Sequence, residues 1–111
     1  MKMALESGET ILKEGAANLQ RGAETVGGHL CLTEHRLVFE SHRFNLQTGS
    51  TVIPLGEITV TRPCWTKFLN LIPLAPNSLA VSTAGGQEHK FVLYGRMAWR
   101  KSIDEARLRR P

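Results

Sequence analysis

The sequence predicts a mainly β fold of the α+β class: about seven short strands, arranged as a barrel or two orthogonal antiparallel sheets, capped by one C-terminal amphipathic helix. Three observations carry this expectation. Apolar residues alternate with period two through most of the chain, in runs punctuated by Gly, Asn and Pro. The pattern changes once, after Gly95, to a helical spacing. A length of 111 residues fits a single domain, residues 1–111, with one core.

The strands are expected between about residue 8 and residue 94. Gly8 to Glu14 holds a first apolar pair, Ile11-Leu12, and Gly15 to Arg21 reads as irregular or extended. From Glu24 to Thr33 the residues Val26, Gly28, Leu30 and Leu32 share one face, with His29 and Cys31 on the other. The turn Thr33-Glu34-His35-Arg36 leads into Leu37-Val38-Phe39-Glu40, so the two runs pair as an antiparallel hairpin. His42 to Thr51 is polar and turn-forming. Val52-Ile53-Pro54-Leu55 is a short strand whose proline belongs at an edge or bulge, because it cannot donate to a ladder. Ile58 and Val60 mark the next strand. Beyond a long Pro-rich connection, Ser78–Thr83 and Glu88–Tyr94 flank the hairpin turn Ala84-Gly85-Gly86-Gln87. The helix is expected over about residues 96–109, where Trp99, Ile103 and Ala106 fall at i, i+4 and i+7.

Composition narrows the function classes. With 41% hydrophobic and 22% charged residues the chain reads as globular rather than disordered. No window reaches the ~18 consecutive apolar residues of a membrane span. The N-terminus lacks an apolar signal core, so the expected location is cytoplasmic, extending to a peripheral membrane site. Cys31 and Cys64 are too few for a disulfide scaffold and lack metal spacing. The net charge of +4 comes entirely from Arg96–Arg110, where six basic residues face Asp104 and Glu105.

Several stretches then occur in a telling order. Gly8-Glu9 and Lys13-Glu14-Gly15 precede Gly27-Gly28-His29-Leu30-Cys31-Leu32-Thr33-Glu34-His35-Arg36-Leu37-Val38-Phe39, followed by Ile53-Pro54-Leu55-Gly56-Glu57-Ile58, by Glu88-His89-Lys90-Phe91 and by a helix carrying Trp99. The whole resembles the GRAM domain, a branch of the pleckstrin-homology-like (PH-like) superfold. The resemblance implies a binding module without catalytic activity, whose relatives bind phosphoinositides, other anionic lipids or peptides. The hairpin also stands without the family. Leu30, Leu32, Leu37 and Phe39 supply a core face worth roughly 1.5–3 kcal/mol per buried side chain. Thr33 can satisfy turn groups through its hydroxyl, and Arg36 can pin the loop by bonding carbonyls or an acid.

No residue constellation suggests chemistry. His29, His35, His42 and His89 lie on separate elements without ligand spacing, so no metal or other cofactor is expected. Neither cysteine has an activating base nearby in sequence, and Gly85-Gly86 lacks the Lys-Ser/Thr of a phosphate loop. Multi-phosphate recognition needs a cation cluster, yet residues 15–24 offer only Arg21, with Lys13 before it and Arg43 in the later polar turn. The run Arg107-Leu108-Arg109-Arg110 could attract anionic lipid or nucleic acid. Complementing the helix dipole is the simpler role, and nucleic acid is not an expected partner.

The connection from Pro63 to Pro76 is the most informative oddity. Trp65, Phe68, Leu69, Leu71, Ile72 and Leu74 make it too apolar for an ordinary loop. Either it folds onto the body as a lid, or it forms a contact patch. A ring beside Lys67 suits a lipid interface, and the same patch suits a homodimer seam. The expected function is therefore a non-enzymatic module that binds anionic lipid or a membrane-associated partner. The candidate residues are Trp65, Lys67, Phe68 and Leu69, with Arg43 and Arg21 as auxiliary cations. The alternative is a protein-interaction or homo-oligomerisation module that binds no lipid.

Overall fold

In a computed structural model of the chain, the structure describes residues 8–21, 24–41, 50–68 and 72–109. Seven strands precede one helix: β1 (Ile11–Arg21), β2 (Glu24–Thr33), β3 (Arg36–Ser41), β4 (Ser50–Pro54), β5 (Ile58–Phe68), β6 (Ile72–Thr83), β7 (Glu88–Leu93) and α1 (Arg96–Leu108). A single 3-10 turn, Leu55–Glu57, joins β4 to β5. The strands form one hydrogen-bonded order, β4-β3-β2-β1-β7-β6-β5, and every pairing in it is antiparallel. The expected barrel is not closed: the described strands form one continuous hydrogen-bonded order. β4 and β5 stand at its two ends.

Two backbone bonds fix which residues point toward which neighbour. Thr83 N–H donates to the Gln87 carbonyl at 2.9 Å, and Leu55 N–H donates to the His35 carbonyl at 3.0 Å. Bonded pairs alternate along an antiparallel ladder. Carried through the registers, the even-numbered groups of β4 and the odd-numbered groups of the proximal half of β5 face the open edges. Pro54 and Pro63 therefore direct their missing N–H groups outward, where no ladder bond is lost. The β6–β7 turn has Gly86 at φ 86°, a left-handed residue that a glycine adopts without strain, and its N–H donates to the Thr83 carbonyl at 3.0 Å.

The core lies on one face, under α1. Leu30, Leu32, Leu37, Phe39, Leu79, Val81 and Phe91 are fully buried, and the Phe39 and Phe91 rings sit 6.0 Å apart. Trp99, Ile103 and Ala106 of α1 close over them, as their spacing predicts. β1 meets the helix at Gly15, where a Cβ would lie in ordinary contact, 3.7 Å from the Trp99 ring, and the Lys13 ammonium sits 5.3 Å from that ring's centroid.

Of the two readings of Gly15 to Arg21, the extended one holds: it is the body of β1, paired with β2. One sequence expectation is corrected. The connection between Pro63 and Pro76 is not a loop. Most of it belongs to the paired strands β5 and β6, with Pro63 opposite Leu79 and Pro73 opposite Lys67. Prolines at an edge and register shifts between Cys64 and Lys67 let these strands form where proline counting predicts a break. The polar turn expected over His42–Thr51 ends earlier, because Ser50 and Thr51 already belong to β4; residues 42–49 lie outside the described part.

Candidate functional site

β5 and β6 outrun the sheet. β7 supports β6 only as far as the pair Ser78–Val92, and beyond it Cys64–Phe68 and Ile72–Asn77 have each other. The register sets Thr66 opposite Ala75, Lys67 opposite Pro73 and Phe68 opposite Ile72. Trp65, Lys67 and Phe68 thus sit on the distal arm of a hairpin whose sequence is Trp65-Thr66-Lys67-Phe68-Leu69-Asn70-Leu71-Ile72-Pro73-Leu74. Their strand positions are described; their side chains, and Leu69 altogether, lie outside the described residues.

The auxiliary cations are placed elsewhere. Arg43 lies outside the described residues. Arg21 ends β1 opposite Glu24. The row Gln20–Lys90–Ala80–Arg62 crosses the sheet beside it, and β5 runs from Arg62 through Cys64 away from that end. Arg21 and the hairpin arm are therefore at opposite ends of the strands, and Lys13 lies against Trp99.

Arginines of α1 line the free edge of β5. Arg96 Nη1 donates to the Cys64 carbonyl at 2.8 Å, and Arg107 Nη2 donates to the Thr59 carbonyl at 3.1 Å. Arg100 Nε reaches the Thr61 hydroxyl at 3.3 Å. That hydroxyl donates in turn to Asp104 Oδ1 at 2.9 Å, with Arg107 Nε on the same carboxylate oxygen at 3.2 Å. Arg96, Arg100 and Arg107, three of the six basic residues between Arg96 and Arg110, are thus engaged against β5. Sequence reasoning missed this, although Arg96, Arg100 and Arg107 recur at i, i+4 and i+11 along one flank of the apolar stripe.

At the β2–β3 turn, Arg36 grips the fully buried Glu9 carboxylate with Nε at 2.8 Å and Nη2 at 2.9 Å. The Thr33 hydroxyl donates to Glu9 Oε2 at 2.7 Å and accepts from the His35 and Arg36 N–H groups, both at 3.1 Å. Thr33 and Arg36 thus serve the turn and the N-terminal residues, as the sequence suggests, and Glu9 is the acid that sequence alone did not name. His29 contacts Glu14 at 2.9 Å, and His35 contacts Glu34 at 3.6 Å. Among the described residues no three His, Cys, Asp or Glu side chains could share a metal, and no helix is long and apolar enough to cross a membrane.

No curated protein sequence matches the chain. Solved structures match it closely in shape and weakly in sequence, which shows the fold alone. A C-terminal domain of an unknown protein from Leishmania infantum superposes with a TM-score of 0.76 at 19% identity, over 93% of this chain and 88% of that one. The Slm1-PH domain, solved with phosphoserine, gives 0.66 at 13% identity, over 88% and 96%. The linker-DH/PH region of p115-RhoGEF gives 0.74 at 16% identity over 96% of this chain, which spans only 32% of that one. The fold is therefore PH-like. The GRAM domain family profile matches residues 1–97, from the N-terminus through β7 into the first turn of α1, and the chain belongs to the GRAM domain family.

Proposed function

We propose that this GRAM domain is a non-catalytic module that docks on anionic membrane surfaces at the cytoplasmic side through the distal β5–β6 hairpin. The observation that carries the reading is the hairpin's overrun: an arm of strand beyond Ser78–Val92 whose sequence is almost wholly apolar, with one lysine. Inserting Trp65, Phe68 and Leu69 among headgroups would remove apolar surface from water, and Lys67 would meet lipid phosphate. In sequence, residues 15–24 offer Arg21 alone as a cation, which argues for shallow, non-stereospecific attachment over a pocket for several phosphates. Similarity to a PH domain solved with phosphoserine is in keeping with an anionic ligand.

Liposome co-sedimentation tests the proposal, with phosphatidylcholine vesicles compared with vesicles containing phosphatidylserine at low and high salt. Pelleting confined to the anionic vesicles and weakened by salt is expected. Trp65→Ala with Phe68→Ala should lower the bound fraction at least about tenfold while the far-UV circular dichroism stays native. Retained pelleting of the folded double variant rejects the hairpin. No pelleting of the parent chain rejects the lipid and leaves a protein partner.

A further inference from the structure

We propose that the corner between β7 and α1, carrying Tyr94, Arg96, Met97 and Lys101, is a second contact with the anionic membrane. The domain then docks in one orientation, with the N-terminal end of α1 against the lipid. This contact presupposes the lipid reading of the hairpin but is made by residues outside it.

The corner sits at the root of the hairpin arm. Val92 lies opposite Ser78 and Ser78 opposite Cys64, so one row crosses β7, β6 and β5 where the arm begins. Two residues past Val92 the chain leaves β7 at Tyr94 and turns through Gly95, at φ 71°, into α1. Arg96 ties this turn to β5, its Nη1 donating to the Cys64 carbonyl at 2.8 Å, one residue before Trp65. From there α1 runs back along β5, and Arg107 reaches the Thr59 carbonyl. The arm and the N-terminal end of the helix therefore share one end of the sheet. The Gly85-Gly86 turn, beyond the pair Ser82–Glu88, is at the other.

The corner exposes apolar side chains. Tyr94 is 96% exposed and Met97 54%. Met97 precedes the buried Trp99 by two positions and so lies on the opposite side of α1, and the exposed Lys101 follows it by one turn. A ring with a hydroxyl tip and a flexible thioether suit the boundary between headgroups and acyl chains.

Charge selects an anionic surface as the occupant. Between Ile58 and Ile103 the sequence holds six cations, Arg62, Lys67, Lys90, Arg96, Arg100 and Lys101, and one acid, Glu88. Glu88 lies toward the far end of β7, paired with Arg62 at 2.8 Å. Neither Arg96 nor Lys101 is in an ion pair among the described residues. Arg96 keeps four N–H donors beyond its bond to Cys64. An apolar protein face would leave these charges unmatched, whereas lipid phosphates neutralise them.

Vesicles of phosphatidylcholine with phosphatidylserine are the probe, and the partition coefficient from co-sedimentation is the readout. Tyr94→Ser with Met97→Ser should lower it about tenfold while the melting temperature stays that of the parent, since both side chains are exposed. Lys101→Gln should lower it about fivefold and flatten its salt dependence. Parent-like pelleting of the Tyr94 and Met97 double variant overturns the corner and leaves the hairpin standing. Its loss of pelleting upholds the corner, even where Trp65→Ala with Phe68→Ala still pellets and the hairpin falls. No pelleting of the parent chain overturns both. A second readout needs no variant: bicelles carrying phosphatidylserine and a nitroxide-labelled lipid should broaden the amide signals of Met97 and Lys101 and leave Gly85 and Gly86 sharp. Broadening at Gly85 and Gly86 in place of the corner overturns the orientation.

Discussion

Arg36 and Glu9 form a two-point ion pair across 27 positions of sequence, with the Glu9 side chain fully buried and that of Arg36 17% exposed. Removing one partner of such a pair leaves a charge in a site built for two. Arg36→Ala should therefore cost about 3–5 kcal/mol, read as a lower urea midpoint at unchanged slope. Glu9→Gln should cost less, because the neutral amide keeps an acceptor for Arg36 and needs no counter-charge. Similar losses for the two variants would show that the pair acts through packing rather than charge.

Gly28 is fixed by backbone proximity. A Cβ at this position would lie 2.2 Å from the Glu40 carbonyl oxygen and 2.6 Å from Cζ of Phe39. The nearer atom belongs to the β2–β3 ladder, so relief requires the strands to part. Gly28→Ala should destabilise by at least about 1–3 kcal/mol, the usual scale of overpacking. The amide signals of Phe39 and Glu40 should shift with it. A melting temperature unchanged in Gly28→Ala would contradict this packing.

The parts of the fold legible in sequence were those set by local pattern. The Leu30–Phe39 hairpin, the Gly85-Gly86 turn and the Trp99–Ile103–Ala106 face each report contacts within a few positions of one another. What escaped was set by neighbours distant in sequence. Pro63 and Pro73 read as strand breakers until β5 is known to be an edge and to carry register shifts. Arg107 read as a dipole partner for the helix end, whereas its guanidinium meets carbonyls 48 and 49 positions away. At the candidate site, the apolar character of residues 63–76 was readable, but not that these residues form a strand pair reaching past β7.

The arginines on β5 predict what happens when its edge is uncovered. An exposed strand edge recruits further strands, and α1 now blocks that edge at Ile58, Thr59 and Cys64. Arg96→Ala combined with Arg107→Ala should leave the core intact, since Trp99 and Ile103 are untouched. The variant should self-associate as concentration rises, seen as larger species by analytical ultracentrifugation. A monomeric double variant at every concentration tested would show that the helix backbone alone guards the edge.

Cys31 and Cys64 are both free thiols in unlike surroundings. Burial, first, and then the charges of Glu14 and Glu9 push the Cys31 thiol above its ordinary value of 9.0; Arg36 pulls it down and Glu40 adds to the rise. Unfolded, the same thiol ionises earlier, so above about pH 9 the unfolded state holds fewer protons than the native one. The Cys31 contribution to stability is thus complete below that pH and declines as pH rises through the folded value. Urea midpoints should fall between about pH 8 and about pH 10 by more in the parent chain than in Cys31→Ala, where this source of pH dependence is gone. Iodoacetamide near neutral pH should label the partly exposed Cys64 first and reach Cys31, 2% exposed, only as the domain unfolds. Equal labelling rates would place Cys31 in a region that opens locally, and its pH signature would then vanish with the burial that causes it.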